Sequence, residues 1–126
     1  MPWPCKLVRR IDEPFFDGKS DWSAYLVDDA GTKFTFESAP IGTMWMSGPI
    51  LNVKLPGEKG GITFSPDRPS TDTGKPWLRV GTPPKVSVHP SINIVGLYHG
   101  WITDGIVLDD CEGRTFDDTG APVARP

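Results

Sequence analysis

Apolar and polar residues alternate over short runs along most of the chain, the period-two signature of half-buried strands. Trp22, Ala24 and Leu26 alternate with Ser23, Tyr25 and Val27, and Phe34 and Phe36 alternate with Lys33 and Thr35. Gly31, in the connection between these arms, supplies a positive φ, so residues 22–36 are predicted to form a β-hairpin. A short helix competes for the first arm, but aromatic and β-branched residues dominate the second. Residues 5–13 form an apolar-basic strand candidate that ends before Pro14, and a loop follows it. Further strands are predicted at 43–46, 50–55 and 61–64, the last two separated at the turn sequence PGEKGG. Residues 77–108 read as a β-meander with arms at 77–80, 85–89, 92–95, 98–103 and 106–108. Its strongest turn signal is Asp104-Gly105, two residues that tolerate positive φ between apolar β-formers. A short strand at 114–116 completes the set.

Between residues 64 and 77 the pattern stops. The segment SPDRPSTDTGKP is polar and rich in turn formers, and is expected to be a mobile loop. The tail from about residue 119 carries Pro, Gly and Ala, which argues against stable order there. No apolar period of 3.6 residues persists over three turns. The expected fold is therefore mainly β: one domain, 1–126, built as a small barrel or sandwich of short antiparallel strands.

Composition sharpens this picture in three places. Gly 14 and Pro 14 in 126 residues imply many tight turns, while five Trp and six Phe oppose disorder. Net charge is −3 with both signs mixed along the chain, so the basic stripe of a nucleic-acid binder is missing and no nucleic-acid partner is expected. No apolar run reaches the length of a membrane-spanning helix, and the first ten residues lack the apolar core of a signal peptide; no membrane association is expected. The two cysteines, Cys5 and Cys111, form no Cys-x-x-Cys pair and are expected to be reduced thiols in a cytoplasmic protein.

Candidate chemistry centres on the stretch YHGWITDGIV. Counting back from the Asp104-Gly105 turn, His99 opposes Asp110 and Tyr98 opposes Cys111, with His89 on the neighbouring arm. A metal site of His99, His89, Asp110 and Cys111, with zinc as the ion, is the sharp reading, although the spacing matches no ligand signature. A half-buried histidine bonded across the hairpin is the plain one, and no cofactor is then needed. Nucleophile signals are weak. There is no Gly-x-Ser-x-Gly elbow. Ser91 shares a face with His89, but that pair lacks an orienting acid, and the acids around Cys111 disfavour its thiolate. No phosphate loop or EF-hand pattern is present. The tryptophans are core candidates. Trp45 between Met44 and Met46, together with Tyr98 and Trp101, forms the alternative interaction surface, because aromatic and thioether side chains suit adaptable contacts.

The blocks GTMWMSG, WLRVGTPPKVSV and YHGWITDGIV, in this order, resemble a small tailed-phage and prophage-encoded family of unknown function. Its members show Gly-Asp-Met-Trp, W-x-x-x-G-x-P-P and Tyr-His-Gly-Phe-x-x-x-Gly. The resemblance implies an accessory protein made in the host bacterial cytoplasm, or carried on the virion, with a host or phage protein as partner. Relatives often carry further cysteines that suggest zinc. This chain has none between Cys5 and Cys111, and SVHPSI stands where relatives are Cys- and Gly-rich. The expectation is a non-catalytic protein-interaction module acting in host or defence modulation or in assembly, with self-association compatible. The competing expectation is a metal-binding protein or metal-dependent hydrolase centred on His99.

Overall fold

The computed structural model describes residues 2–124, and among them there is no helix. Fourteen short strands follow the chain. They are β1 (Trp3–Pro4), β2 (Lys6–Leu7), β3 (Arg9–Ile11), β4 (Phe15–Phe16), β5 (Asp21–Trp22), β6 (Tyr25–Val27), β7 (Lys33–Phe34) and β8 (Thr43–Ser47). They continue as β9 (Ile50–Leu55), β10 (Ile62–Phe64), β11 (Leu78–Thr82), β12 (Lys85–Ile94), β13 (Tyr98–Thr103) and β14 (Ile106–Val107). The largest sheet has the order β1-β14-β13-β12-β11 and the second β10-β9-β8-β2; β3-β6-β7 form a third, and β4-β5 a two-stranded ribbon. All pairings are antiparallel except β2 on β8. The fold is all-β and sandwich-like, not a closed barrel.

The second sheet is the middle layer. One of its faces packs Met44, Leu51, Val53 and Leu55 against Val86, Val88, Ile92, Tyr98, Ile102 and Val107 of the largest sheet. The other turns Trp45 onto Val8, Leu26 and Ala39, with Phe34 and Phe36 alongside. A strand covered on both faces buries successive residues, so β8 and β9 read as near-continuous apolar runs. This explains why Met44 and Trp45 are both interior, on opposite faces, and why Met46 is only partly covered. Tyr98 is fully buried. Met44, Trp45 and Tyr98 therefore supply no open interaction surface; of the other two expected contact residues, Met46 is half-buried and Trp101 is exposed.

The hairpins follow the sequence closely. Leu26 faces Phe34 across the turn that holds Gly31 at φ 84°. Thr103 faces Ile106 across Asp104 (φ 49°) and Gly105 (φ 75°), the double positive φ that this tight turn requires. Other expectations need correction. The single strand at 5–13 is two short pieces serving different sheets. The loop expected after it closes as the β4-β5 ribbon. The two arms at 85–89 and 92–95 are one strand, β12, with a register shift between Val88 and Ile92. At 114–116 only Phe116 pairs, in an isolated bridge with Pro122.

The long loop forms no strand, as expected, but it is pinned. Asp67 accepts from the Leu51 backbone at 2.7 Å and pairs with Arg79 at 3.0 Å. The tail also keeps its order further than its composition suggests. Thr119 and Gly120 accept from Gly60 and Gly57, and Val123 donates to Thr115. Residues 125 and 126 lie outside the described residues.

One buried charge marks the middle layer. Lys54 is 2% exposed. Its ammonium donates to the carbonyls of Phe36 (2.8 Å) and Glu37 (3.2 Å), closing the turn after β7. Burial lowers its pKa, with the Glu37 charge opposing the shift. A lysine whose folded pKa is depressed binds fewer protons than in the unfolded chain, so stability rises with pH between the folded value and about 10.4. Lys54→Met is expected to cost roughly 1–3 kcal/mol at neutral pH by leaving two carbonyls unpaired. It should also remove the rise in stability at alkaline pH. Urea unfolding of both proteins across pH 7 to 10 checks each outcome.

Candidate functional site

The bulge in β12 and the chain reversal after β14 create one cluster on the outer face of the largest sheet. Strand alternation turns Tyr98 and Ile102 inward, and His99 and Trp101 outward. Gly100 sits between them because the buried Tyr98 ring lies over it and donates to the Leu108 carbonyl at 2.7 Å; a side chain at Gly100 would collide with the phenol. On the outward side the rings of His99 and Trp101 stack at 6.3 Å.

Asp110 organises the turn that follows. Its side chain is fully buried. Oδ1 accepts from the His99 backbone (2.7 Å) and the Arg114 guanidinium (2.9 Å). Oδ2 accepts from the backbones of Glu112 (3.0 Å) and Arg114 (2.9 Å). Burial pushes the carboxyl pKa up, but the backbone N–H groups of Arg114 and His99 and the Arg114 side chain outweigh it and hold the group below the ordinary carboxylate range.

This turn places Glu112 at the imidazole. His99 Nδ1 lies 2.9 Å from Glu112 Oε2, and His99 Nε2 lies 3.2 Å from Ser91 Oγ. Arg114 Nη2 approaches the other Glu112 oxygen at 3.3 Å. A single tautomer, protonated on Nδ1, satisfies both contacts: Nδ1–H donates to the carboxylate and Nε2 accepts from the serine hydroxyl. That polarity is the one by which a carboxylate orients a histidine as general base toward a hydroxyl nucleophile. Ser91 reaches His99 because the β12 bulge sets two extra residues opposite Trp101 before pairing resumes at Ile92 and Gly100. The indole N–H of Trp77 donates to the Ser91 carbonyl at 3.3 Å, tying this segment to the end of the long loop.

The expected metal set does not converge. His89 is exposed and pairs with Leu78, whereas His99 pairs with Asn93. The Asp110 oxygens are taken by four N–H donors. Cys111 donates its backbone N–H to His99 O, and its thiol is exposed. Among the described residues no three His, Cys, Asp or Glu side chains gather as a ligand group. Cys5 is buried with its thiol pushed up to about 11 by burial, against a hydrogen bond from Val107, and no disulfide joins it to Cys111. Neither cysteine contributes to the cluster.

Hairpin counting brought Asp110 to His99 correctly, but to its backbone; the acid at the ring is two residues later. Ser91 shares a strand face with His89, as the alternation predicts, but its hydrogen-bond partner is His99 on the neighbouring strand. A Pro beside a β-strand serine is a bulge signal, and it is the one sequence cue that could have suggested the change of partner. Comparison with protein-family models, with curated proteins and with solved structures finds no match.

Removing the Asp110 carboxylate strands four donors, the partly buried Arg114 guanidinium among them. Asp110→Ala is expected to destabilise the fold by roughly 2–4 kcal/mol. Because the folded pKa is depressed, the stabilisation is present above about pH 4 and disappears as pH falls through the folded value. Chemical denaturation between pH 2 and 7 should show this acid limb in the native protein and a flatter one in Asp110→Asn.

Proposed function

We propose that this protein is a serine-dependent acyl hydrolase with Ser91 as nucleophile, His99 as general base and Glu112 as the acid that orients it. The observation that carries the reading is the relay itself: serine hydroxyl to Nε2, and Nδ1 to a carboxylate, both within hydrogen-bond reach. Neither contact could be arranged by chance sequence proximity, since the three residues come from β12, β13 and the turn after β14.

The chemistry follows from the geometry. As Ser91 Oγ attacks the carbonyl carbon of an ester or amide, its proton passes to His99 Nε2, and Glu112 stabilises the imidazolium through Nδ1–H. The carbonyl oxygen becomes the oxyanion. When the carbonyl reforms, the bond to the leaving group breaks and that group takes the proton from Nε2. Water then repeats the sequence on the acyl-serine, returning Ser91 to its starting state. Asn93 shares the Ser91 face by strand alternation and pairs with His99, which makes its amide the candidate donor to the oxyanion. Arg114 and Asp110 act as positioning residues through Glu112 and the His99 backbone.

A fluorophosphonate probe should label the purified protein at a single site, located at Ser91 by peptide mass spectrometry. Ser91→Ala and His99→Ala should abolish labelling and the hydrolysis of p-nitrophenyl acetate. Asn93→Ala should lower kcat by roughly 10- to 100-fold while the fold, judged by circular dichroism, is kept. Labelling that persists in Ser91→Ala would sink the proposal.

A second reading rests on a different observation. The outer face of the largest sheet exposes Leu78 (64%), Val80 (46%), Trp101 (38%) and Ile106 (37%). Ser87, His89 and Thr103 lie between them, and Lys85 is the one charged side chain that the strands β11 to β14 add to this face. Depletion of charge with an aromatic at the centre is the composition of a protein-docking surface. This supports a module that binds a host or phage protein, in keeping with the tailed-phage resemblance. Val80→Asp should then abolish partner capture that Ser91→Ala retains.

A further inference from the structure

Beside the relay lies a cleft of about 600 Å³, between the long loop and the segment from Pro90 to Val95, and Ser91 and Asn93 are on its wall. We infer that this cleft is the acyl-side subsite of the same centre, and that it takes an apolar, ring-sized group carrying one hydrogen-bonding function next to the bond that Ser91 attacks. The inference rests on the reading of Ser91 as nucleophile and adds the class of substrate.

Three features define the occupant. Apolar wall comes from Phe64 and Trp77, packed edge to face at 4.9 Å and 83°, together with Ile94 and Val95. The Trp77 indole N–H also holds the Ser91 carbonyl, so the aromatic wall and the nucleophile are fixed relative to each other. Second, Ser65 Oγ is buried on this wall and has no hydrogen-bond partner among the described residues. Buried hydroxyls are nearly always paired, and a turn of the Ser65 side chain toward the cleft would let a polar atom of the occupant supply the missing partner. Third, Arg68 and Lys75 are on the wall with Asp72 as the one acid there, so a cationic group is disfavoured. An N-acylated aromatic or large aliphatic amino-acid residue on the carbonyl side of the bond meets all three requirements: ring or branched chain for the wall, amide for Ser65, no positive charge.

The test compares three p-nitrophenyl esters on the full chain: acetate, 3-phenylpropanoate and N-acetylphenylalaninate. Rates are divided by those of hydroxide-catalysed hydrolysis to remove intrinsic reactivity. The expected result is kcat/KM at least roughly tenfold higher for the phenylpropanoate than for the acetate, the factor that burying a phenyl group supplies. A further increase is expected for the N-acetylphenylalaninate. Val95→Asp, at a position 85% exposed and so safe for folding, should lower the two aromatic rates by a larger factor than the acetate rate. Ser65→Ala should remove only the increment between the two aromatic esters. Equal corrected rates for all three esters with Ser91-dependent turnover would overturn the subsite and keep the relay, as would a preference untouched by Val95→Asp. Absence of any Ser91-dependent labelling or turnover would overturn both.

Discussion

The carboxylate of Asp110 is removed from water and surrounded by donors, and the local geometry depends on how that charge is satisfied. Four N–H groups converge on its two oxygens, two of them from Arg114 and one each from His99 and Glu112. An isolated buried carboxylate would be expensive, so the chain between Asp110 and Arg114 is constrained to the path that supplies these donors. That path delivers Glu112 to the imidazole of His99 and leaves Arg114 between the two acids. A structural charge and a chemical one are thus adjacent but distinct: Asp110 fixes backbone, and Glu112 meets the ring.

The rest of the fold holds this arrangement steady. The middle sheet is covered on both faces, so the inner surface of the largest sheet is locked against Met44, Leu51, Val53 and Leu55. Its outer surface stays open. Side chains on β13 alternate between those duties, and the Tyr98-His99-Gly100-Trp101 run shows the division residue by residue. Tyr98 anchors, Gly100 makes room for the anchor, and His99 and Trp101 face out. A rigid strand presenting a histidine toward solvent is a better platform for a proton-transfer group than a free loop.

The two readings of function draw on adjoining parts of the same face, which meet where Trp101 stacks on His99. Around Ser91 and His99 it is polar, with the cleft under the long loop beside it. Toward β11 and β14 it is apolar. Asp67 ties the long loop both to β9 and to Arg79 on β11, so one wall of the cleft is anchored to the edge of the sheet that carries the apolar patch. The proposed docking surface and the proposed relay are compatible uses of one sheet face.

What the sequence by itself determined was local. Alternation identified the strands of the meander, Asp104-Gly105 fixed its last turn, and Gly31 fixed the first hairpin, because period-two burial and positive φ are properties of a few neighbouring residues. The polar composition of 65–76 likewise marked a segment without strands. Partnership was decided by tertiary structure. Ser91, His99 and Glu112 are separated by strand pairing, a bulge and a charge-centred turn, and none of these spacings is written in a motif. Hairpin counting assumed that regular pairing continues past Val107; beyond it Leu108 and Cys111 still donate to the carbonyls of Trp101 and His99, but Asp110 turns its side chain in to the His99 N–H. In the same way Met44 and Trp45 looked available for contact until a third layer covered the second face of β8. Local chemistry sets which elements form; only packing sets which side chains meet.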